Sequence, residues 1–464
     1  MTATARPLTR AAVPPGTLAT YVLLGAWLAH VLVVEVLFIK YGKGKNSILT
    51  VGKFFGLHAA MIMMLQLILV ARVPWLDRRL GMDRLTRWHR WIGFTLLWTV
   101  LTHATIVVAG YTALGSEGPW DTFWSLAGVT ASMLGMIAAS IIVVVAALSM
   151  RYVRRRLGYE IWHALHLLLY VAVGIGLAHQ ALEGTTFTQS TAAEVYWWTV
   201  WVAVLAALVI GRIVVPLWRN AYHGFRVAAV VPEADNVVSV HVTGRHLDKL
   251  PARAGQFMIW RFPGHNNWWQ ANPFSLSAAP NGRSLRLTAK AVGKTSAGLR
   301  HVKVGGRVFA EGPYGAFTTL HQTRPGLLLI AGGVGITPIR ALLEESTEPS
   351  VVLYRVHNEA EAVLLPELEA LARERGARVH LLTGRTGAAG RPPSAAAWRR
   401  RFWPAGSPPN MPFAPENLAA AVPDIAERDV YVCGPLPMTE AVLRSLHALG
   451  VPRRQVHAER FSLA

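Results

Sequence analysis

The chain has 464 residues, of which 52% are apolar and 16% charged, and it carries a formal charge of +20. That length suffices for about three domains, and this apolar content places part of the chain in lipid. The basic residues cluster at the ends of apolar segments and not in one aromatic-laced stripe, which argues against nucleic acid, and a single cysteine, Cys433, excludes a disulfide framework and any cysteine-ligated zinc or iron–sulfur centre.

The N-terminal tail, 1–18, carries two arginines ahead of an apolar run too long for a signal-peptide core and without a small-residue cleavage site, so the run reads as an uncleaved first span. Six apolar segments, 18–39, 54–72, 88–110, 123–149, 159–180 and 195–217, approach the roughly 20 residues that cross a bilayer. They predict a six-helix transmembrane domain over 19–219, in a multi-pass protein of the plasma membrane. The connection 72–90 carries Arg72, Arg78, Arg79, Arg84, Arg87 and Arg90, and 151–156 carries Arg151, Arg154, Arg155 and Arg156. Short basic loops stay in the cytoplasm, whereas 111–122 and 180–194 hold no Lys or Arg and are expected outside, so both termini are cytoplasmic. Lys40, Lys43, Lys45 and Lys53 on the first outer loop run against that rule and are outnumbered. Trp88, Trp91, Trp120, Trp124, Trp197 and Trp198 lie near span ends, as interfacial anchors do.

Ionisable residues within spans are expensive and point to function. His89 and His103 lie fourteen positions apart on the third span, a rise of about 21 Å that returns to within about 40° of the same face. His166 and His179 on the fifth are thirteen apart, about 20 Å. Each histidine of one span can meet one of the other at matched depth, and paired neutral imidazoles are what bis-histidine haem iron requires. Two haems b are expected, one near each leaflet, with His89, His103, His166 and His179 as iron ligands. On an ideal helix His166 and His179 point about 140° apart, so the fifth span must twist or approach from its flank. His163, one turn before His166, is the alternative ligand. His30, Glu35 and His58 are isolated and read as packing or local pairing, with His58 the one to test near the outer haem.

After about 222 the texture changes. Runs 236–243, 255–262, 284–292 and 307–312, spaced by Gly, Pro and Asn, predict an antiparallel β-barrel over 220–322. From about 325, strands at 327–331, 351–356, 378–384 and 429–434 alternate with helical stretches such as 338–346 and 361–375, which predicts a parallel α/β nucleotide-binding domain over 323–464. Residues 386–420, rich in Pro, Ala and Arg, read as a surface excursion. In LLLIAGGVGITPIRALL (327–343), Gly332, Gly333 and Gly335 let the backbone approach a pyrophosphate, and Pro338 suits a first helical turn. GKTS (293–296) opens a short helix whose N–H groups, with the Thr295 and Ser296 hydroxyls, favour phosphate.

The segments LTRWHRWIGFTLLWTVLTHA (85–104) and EIWHALHLLLYVAVGIGLAHQ (160–180) resemble the ferric reductase-like transmembrane domain shared by ferric reductases and NADPH oxidases. In that family the third and fifth of six helices carry the haem ligands, which implies His89 and His166 on an inner haem and His103 and His179 on an outer one. The soluble half resembles the ferredoxin–NADP reductase superfamily. NPFSLSAAP (272–280), with Asn272 and Pro273 leading the run, is similar to its flavin motif, which implies that Phe274 packs on the isoalloxazine of FAD and Ser275 bonds the hydride-accepting nitrogen. The family usually has Arg or His where this chain has Asn272, so the pyrophosphate charge falls to Lys290 or Lys294. The turn at Gly293 corresponds to the one that holds the FAD diphosphate, and EGPYGAF (311–317) is similar to the barrel exit.

By the same resemblance Thr337 sits beside the nicotinamide, YVCGPLPM (431–438) places Cys433, Gly434 and Pro435 against it, and Phe461 shields the flavin. Ser275, Thr337 and Cys433 are thus the residues expected at the reacting atoms. Arg355 and Arg385 are candidate partners for a 2′-phosphate, which favours NADPH and leaves NADH open. The resemblance implies electron transfer from cytosolic NADPH, through FAD and two haems, to an extracytoplasmic ferric chelate or oxygen. NADPH oxidases carry a further histidine where this chain has Val107, which weakens the case for oxygen. The alternative is a membrane subunit that donates electrons to a separate extracytoplasmic redox protein; a haem-free transporter with an accessory reductase domain is a third reading.

Overall fold

Long apolar runs in lipid satisfy their own backbone as helices, and the described residues of the first of two units, Met1–Val214, are helical almost throughout. The computed structural model describes residues 15–154, 156–265, 270, 272–384 and 411–460. In chain order the first unit holds α1 (Pro15–Tyr41), α2 (Ser47–Val70), α3 (Pro74–Leu80), α4 (Met82–Thr112), α5 (Pro119–Ala127), α6 (Thr130–Ser149), α7 (Arg151–Arg154), α8 (Tyr159–Glu183) and α9 (Thr191–Val209). Among the described residues six segments are long and apolar enough to cross a membrane: those on α1, α2, α4, α6 and α8, and Thr191–His223, in which α9 passes through a π turn at Ile210–Val214 into α10 (Val215–His223). The expected fourth segment, 123–149, is broken at Gly128 and Val129, so its span begins at Thr130 and α5 is a separate helix.

Glycines and one asparagine set how these helices meet. Asn46 caps α2 by accepting the Leu49 N–H at 2.7 Å and donates to the Gly110 carbonyl near the end of α4 at 2.8 Å. A Cβ on Gly110 would stand 2.7 Å from the Leu49 side chain, so the close approach of α2 and α4 needs the missing side chain. The arginine-rich connections stack on tryptophans, with Arg79 over Trp75 and Arg84 over Trp88 at 5.0 Å and Arg154 over Trp162 at 4.5 Å. The isolated polar groups pair locally: His58 Nε2 lies 3.0 Å from Glu35 Oε1, and His30 Nδ1 lies 2.8 Å from the Tyr196 hydroxyl.

The second unit, Val215–Ala464, carries three sheets. Strands β1 (Arg226–Ala234), β2 (Val237–Thr243), β3 (Phe257–Arg261), β4 (Asn272–Ser275), β5 (Ser284–Lys290) and β6 (Phe309–Tyr314) form two antiparallel sheets, ordered β1-β2-β5 and β4-β3-β6, with α11 (Lys294–Gly298) between β5 and β6. The expected barrel is therefore not closed: beyond the four ladders of these two sheets, the described residues add isolated bridges, Leu276 to Leu287 and Arg226 to Arg307. The edge strands β1, β4 and β6 each contain a proline, Pro232, Pro273 and Pro313, which has no N–H to extend a ladder.

The remaining elements are β7 (Gly326–Gly332), α12 (Ile336–Glu345), β8 (Ser350–Arg355), α13 (Leu365–Arg375), β9 (Arg378–Leu382), α14 (Pro415–Ala421), β10 (Arg428–Gly434), α15 (Leu436–Ala448) and β11 (Val456–Arg460). Their five strands pair in parallel in the order β11-β10-β7-β8-β9. In β7, Leu327, Leu329 and Ala331 enter one buried cluster while Leu328 and Ile330 enter another, so both faces are covered and the run is apolar without alternation.

Asn220 stitches α10 to β6, accepting the Ala310 N–H at 2.8 Å and donating to the Ala310 carbonyl at 2.7 Å. Asn220→Ala leaves the main chain of Ala310 with neither partner. We expect it to destabilise the second unit by about 1–3 kcal/mol, seen as a lower denaturant midpoint by tryptophan fluorescence; an unchanged midpoint would contradict this role.

Candidate functional site

Helices α4 and α8 bring all four predicted imidazoles into two pairs. The ring centres of His89 and His166 are 6.1 Å apart and those of His103 and His179 6.5 Å apart, with planes crossed at 71° and 62°. A metal bonded to both rings at about 2 Å would separate their centres by about 6 Å, so each pair has the span that one iron would fill. Helix α8 runs unbroken from Tyr159 to Glu183, so no local twist is needed and the side chains reach out from its flanks. His163 is exposed and lies beside Trp162.

The His103–His179 pair is built twice on one plan. His103 Nδ1 lies 2.8 Å from the Gly52 carbonyl, and four residues on, a Cβ at Gly56 would stand 2.8 Å from the His103 ring. His179 Nδ1 lies 2.7 Å from the Ala131 carbonyl, and four residues on, a Cβ at Gly135 would stand 3.0 Å from the His179 ring. A carbonyl at Nδ1 keeps the proton there and leaves Nε2 with the lone pair that binds metal. Gly56 and Gly135 give each ring its place against the neighbouring helix. In the His89–His166 pair, Gln66 Nε2 donates to the His89 carbonyl at 3.0 Å, and a Cβ on Gly93 would stand 3.0 Å from that amide nitrogen.

In the second unit β4 runs beside β3, with Phe274 opposite Met258 and Ser275 opposite Phe257. Ser275 is 3% exposed, and its hydroxyl has no hydrogen-bond partner among the described residues. Such an orphaned buried hydroxyl fits a ligand atom, as the flavin reading requires. Phe274 packs half-buried against the barrel core. Asn272 donates to the Trp260 carbonyl at 3.2 Å and so holds the strand. Lys290 ends β5, half-buried. The Ser296 hydroxyl accepts from the N–H groups of Val292 and Gly293 at 3.0 and 3.1 Å and donates to the Gly293 carbonyl, so it shapes the turn, while Thr295 reaches Gln270 at 3.5 Å. The Lys294 side chain, Arg385 and Phe461 lie outside the described residues.

Sequence reasoning missed the residues that hold this strand in place. Ser277 Oγ takes Arg286 Nε at 3.1 Å and Thr288 Oγ1 at 2.7 Å, and the Ser277 carbonyl takes Arg286 Nη2 at 2.8 Å and Arg340 Nη1 at 3.3 Å. Glu367 on α13 completes the cluster, 2.9 Å from Arg286 Nη1 and 3.0 Å from Arg340 Nε. Burial alone would raise the Glu367 carboxyl, but the bonds and charge of Arg286 and Arg340 outweigh it and hold it below its ordinary value. In sequence, Leu285–Arg286–Leu287–Thr288 has the alternation of a strand with one solvated face, and nothing local says that α13 covers it.

The two nucleotide motifs interlock. A Cβ on Gly335 would stand 2.3 Å from the Cys433 carbonyl, one on Gly332 2.6 Å from Met438 Sδ and 2.9 Å from Pro435 Cδ, and one on Gly434 3.1 Å from Gly332 Cα. These three glycines let the turn after β7 lie on the end of β10. Gly333 differs: its φ is +53° and nothing lies within 4 Å of where a Cβ would be, so it supplies conformation and an open side. Thr337 and Cys433 are buried, with Thr337 Oγ1 donating to the Val334 carbonyl at 3.1 Å, and Pro338 lies in the first turn of α12. Arg355, 8% exposed, ends β8 beside Gly332; its Nη1 donates to the Thr383 carbonyl at 2.7 Å and its Nη2 has no hydrogen-bond partner among the described residues. Burial lowers its pKa from the ordinary arginine value.

Residues 55–177 match the family model described as the ferric reductase like transmembrane component, and residues 222–318 match that of an FAD-binding domain. The ferredoxin–NAD(+) reductase component of the alkene monooxygenase system of Xanthobacter autotrophicus is 31% identical over 216 residues, 45% of this chain and 61% of that protein. A flavohemoprotein of Vibrio cholerae is 28% identical over 232 residues, 47% of this chain and 52% of that protein. The chain thus spans between half and two thirds of the length of these curated relatives. The solved FAD/NAD-binding domain of a Vibrio cholerae nitric oxide dioxygenase overlays with a TM-score of 0.39 at 26% identity, covering 51% of this chain and 97% of that one.

Six spans among the described residues and the ferric reductase like match define a multi-pass membrane protein, in which an FAD-binding domain match follows the spans. More particularly, residues 55–177 resemble the ferric reductase like transmembrane component and residues 222–318 an FAD-binding domain.

Gly335→Ala forces a methyl into the Cys433 carbonyl and must lift the glycine turn off β10. We expect affinity for NAD(P)H to fall by at least tenfold while bound FAD is unchanged, read by nucleotide titration of the purified protein. Equal affinity in the variant would show that the interlock is not needed for binding.

Proposed function

We propose that this protein draws electrons from cytosolic NADPH and delivers them, by way of FAD and two haems b, to an acceptor on the far side of the plasma membrane, a ferric chelate in preference to oxygen. The observation that carries the reading is the pair of imidazole couples at iron-spanning distance, 6.1 and 6.5 Å, between two membrane helices. Nicotinamide yields a two-electron hydride and haem iron exchanges single electrons, so a flavin, competent in both, belongs between them.

In this reading His89 and His166 hold the inner haem, and His103 and His179 the outer. Ser275 offers its hydroxyl to the flavin nitrogen, and Phe274 supports the ring. Thr337 and Cys433 position the nicotinamide, and Arg355 meets a 2′-phosphate. No side chain has to act as a nucleophile, so the protein's part is to hold groups in place and keep water from them. The arginine-rich connections, stacked on Trp75, Trp88 and Trp162, support a cytoplasmic location for that side and for both termini. Val107, where a further histidine would serve oxygen, favours the ferric acceptor.

A dithionite-reduced difference spectrum with haem stoichiometry tests the reading: two haems per chain are expected, and none would refute it. His103→Leu and His179→Leu should each remove one haem, whereas His163→Leu should remove neither. Ser275→Ala should retain FAD but slow its reduction by NADPH about tenfold, the worth of one hydrogen bond, in stopped-flow absorbance. NADPH-driven ferric and superoxide assays on one preparation decide between the acceptors.

A further inference from the structure

The two imidazole pairs differ in what holds their outward nitrogens. In the outer pair both Nδ1 atoms face main-chain carbonyls, Gly52 at 2.8 Å and Ala131 at 2.7 Å. In the inner pair His89 Nδ1 is buried with no hydrogen-bond partner among the described residues, and His166 Nδ1 stands 3.5 Å from Ser149 Oγ. Ser149 has little to offer it. Its hydroxyl donates to the Val145 carbonyl at 2.7 Å and accepts from Trp162 Nε1 at 3.3 Å. A contact at 3.5 Å is beyond the ordinary range of a hydrogen bond.

That difference has an electronic meaning if the pairs hold iron. An Nδ1–H bonded to a carbonyl makes the ring a more basic ligand through Nε2. A more basic axial ligand favours ferric over ferrous iron and lowers the reduction potential; second-shell hydrogen bonding is one of the levers by which a protein sets it. Charge acts in the same direction. Arg212 and Arg154 lie within electrostatic reach of His89 and His166, and positive charge favours the ferrous state at the inner pair.

We infer that the Gly52 and Ala131 carbonyls set the outer haem at a lower potential than the inner one, so that the outer site is the stronger one-electron reductant. The inference rests on the bis-histidine reading above and adds the order of the two sites. Gly52 and Ala131 act through the histidines, as positioning residues. Main-chain carbonyls are a durable choice for this task, because no side-chain substitution removes them.

Spectroelectrochemical titration of the full-length haem-loaded protein tests the order, with His179→Leu isolating the inner component and His89→Leu the outer. The outer component should titrate at the lower potential; an equal or higher value overturns the inference. Ser149→Asp provides a second test that removes no ligand. It sets a strong acceptor beside His166 Nδ1 and should lower the inner component alone, leaving the outer unmoved. A shift of the outer component, or of neither, counts against tuning through Nδ1. A preparation with no haem bands would instead overturn the proposed function, an outcome that haem content separates from the others.

Discussion

An imidazole inside a bilayer must find partners for both of its nitrogens, because lipid offers none. Much of the membrane unit can be read as an answer to that constraint. His103 and His179 meet it at Nδ1 through helix carbonyls, which have a second lone pair to give. The ring then has to lie close to the neighbouring helix, and that is where Gly56 and Gly135 enter, each four residues past the accepting carbonyl. With Nδ1 satisfied in this way, Nε2 is left with the lone pair, and the two ring centres stand 6.5 Å apart across α4 and α8.

The soluble unit handles its polar groups differently. Two buried arginines are compensated there by charge: Arg286 and Arg340 both donate to the Ser277 carbonyl, and each lies within ion-pair distance of an oxygen of Glu367. The cluster joins β5, α12 and α13 to the strand that ends two residues earlier at Ser275, so the antiparallel and parallel sheets are tied at the flavin motif. Among the buried groups without a hydrogen-bond partner in the described residues are the Ser275 hydroxyl on β4 and Arg355 Nη2 at the end of β8, both at positions where the sequence motifs expect a ligand.

Sequence and structure agree where one physical rule dominates locally. Continuous apolar runs became spans or buried parallel strands, and the glycine turn after β7 stands between a strand and a helix. They part where the outcome depends on distant neighbours. Neither β1 nor β11 announced itself, since Arg226–Ala234 and Val456–Arg460 mix polar and apolar residues without a clean period. The break at Gly128 and the π turn at Ile210 lie inside runs whose hydropathy never falters. The prolines of β1, β4 and β6 were visible, but their effect on barrel closure depends on which strands lie at the edges.

The sequence alone determined the number of spans, the placement of four histidines at two depths, and the order of flavin and nucleotide motifs, because helix rise, hydropathy and turn chemistry are local properties of the chain. Only the tertiary structure decided that the histidines couple across α4 and α8, that two carbonyls and two glycines seat the outer pair, and that Arg286 and Glu367 secure the flavin strand. The hydrogen bonds among those contacts join residues 48, 51 and 81 positions apart, and their strength comes from burial that a linear reading does not contain.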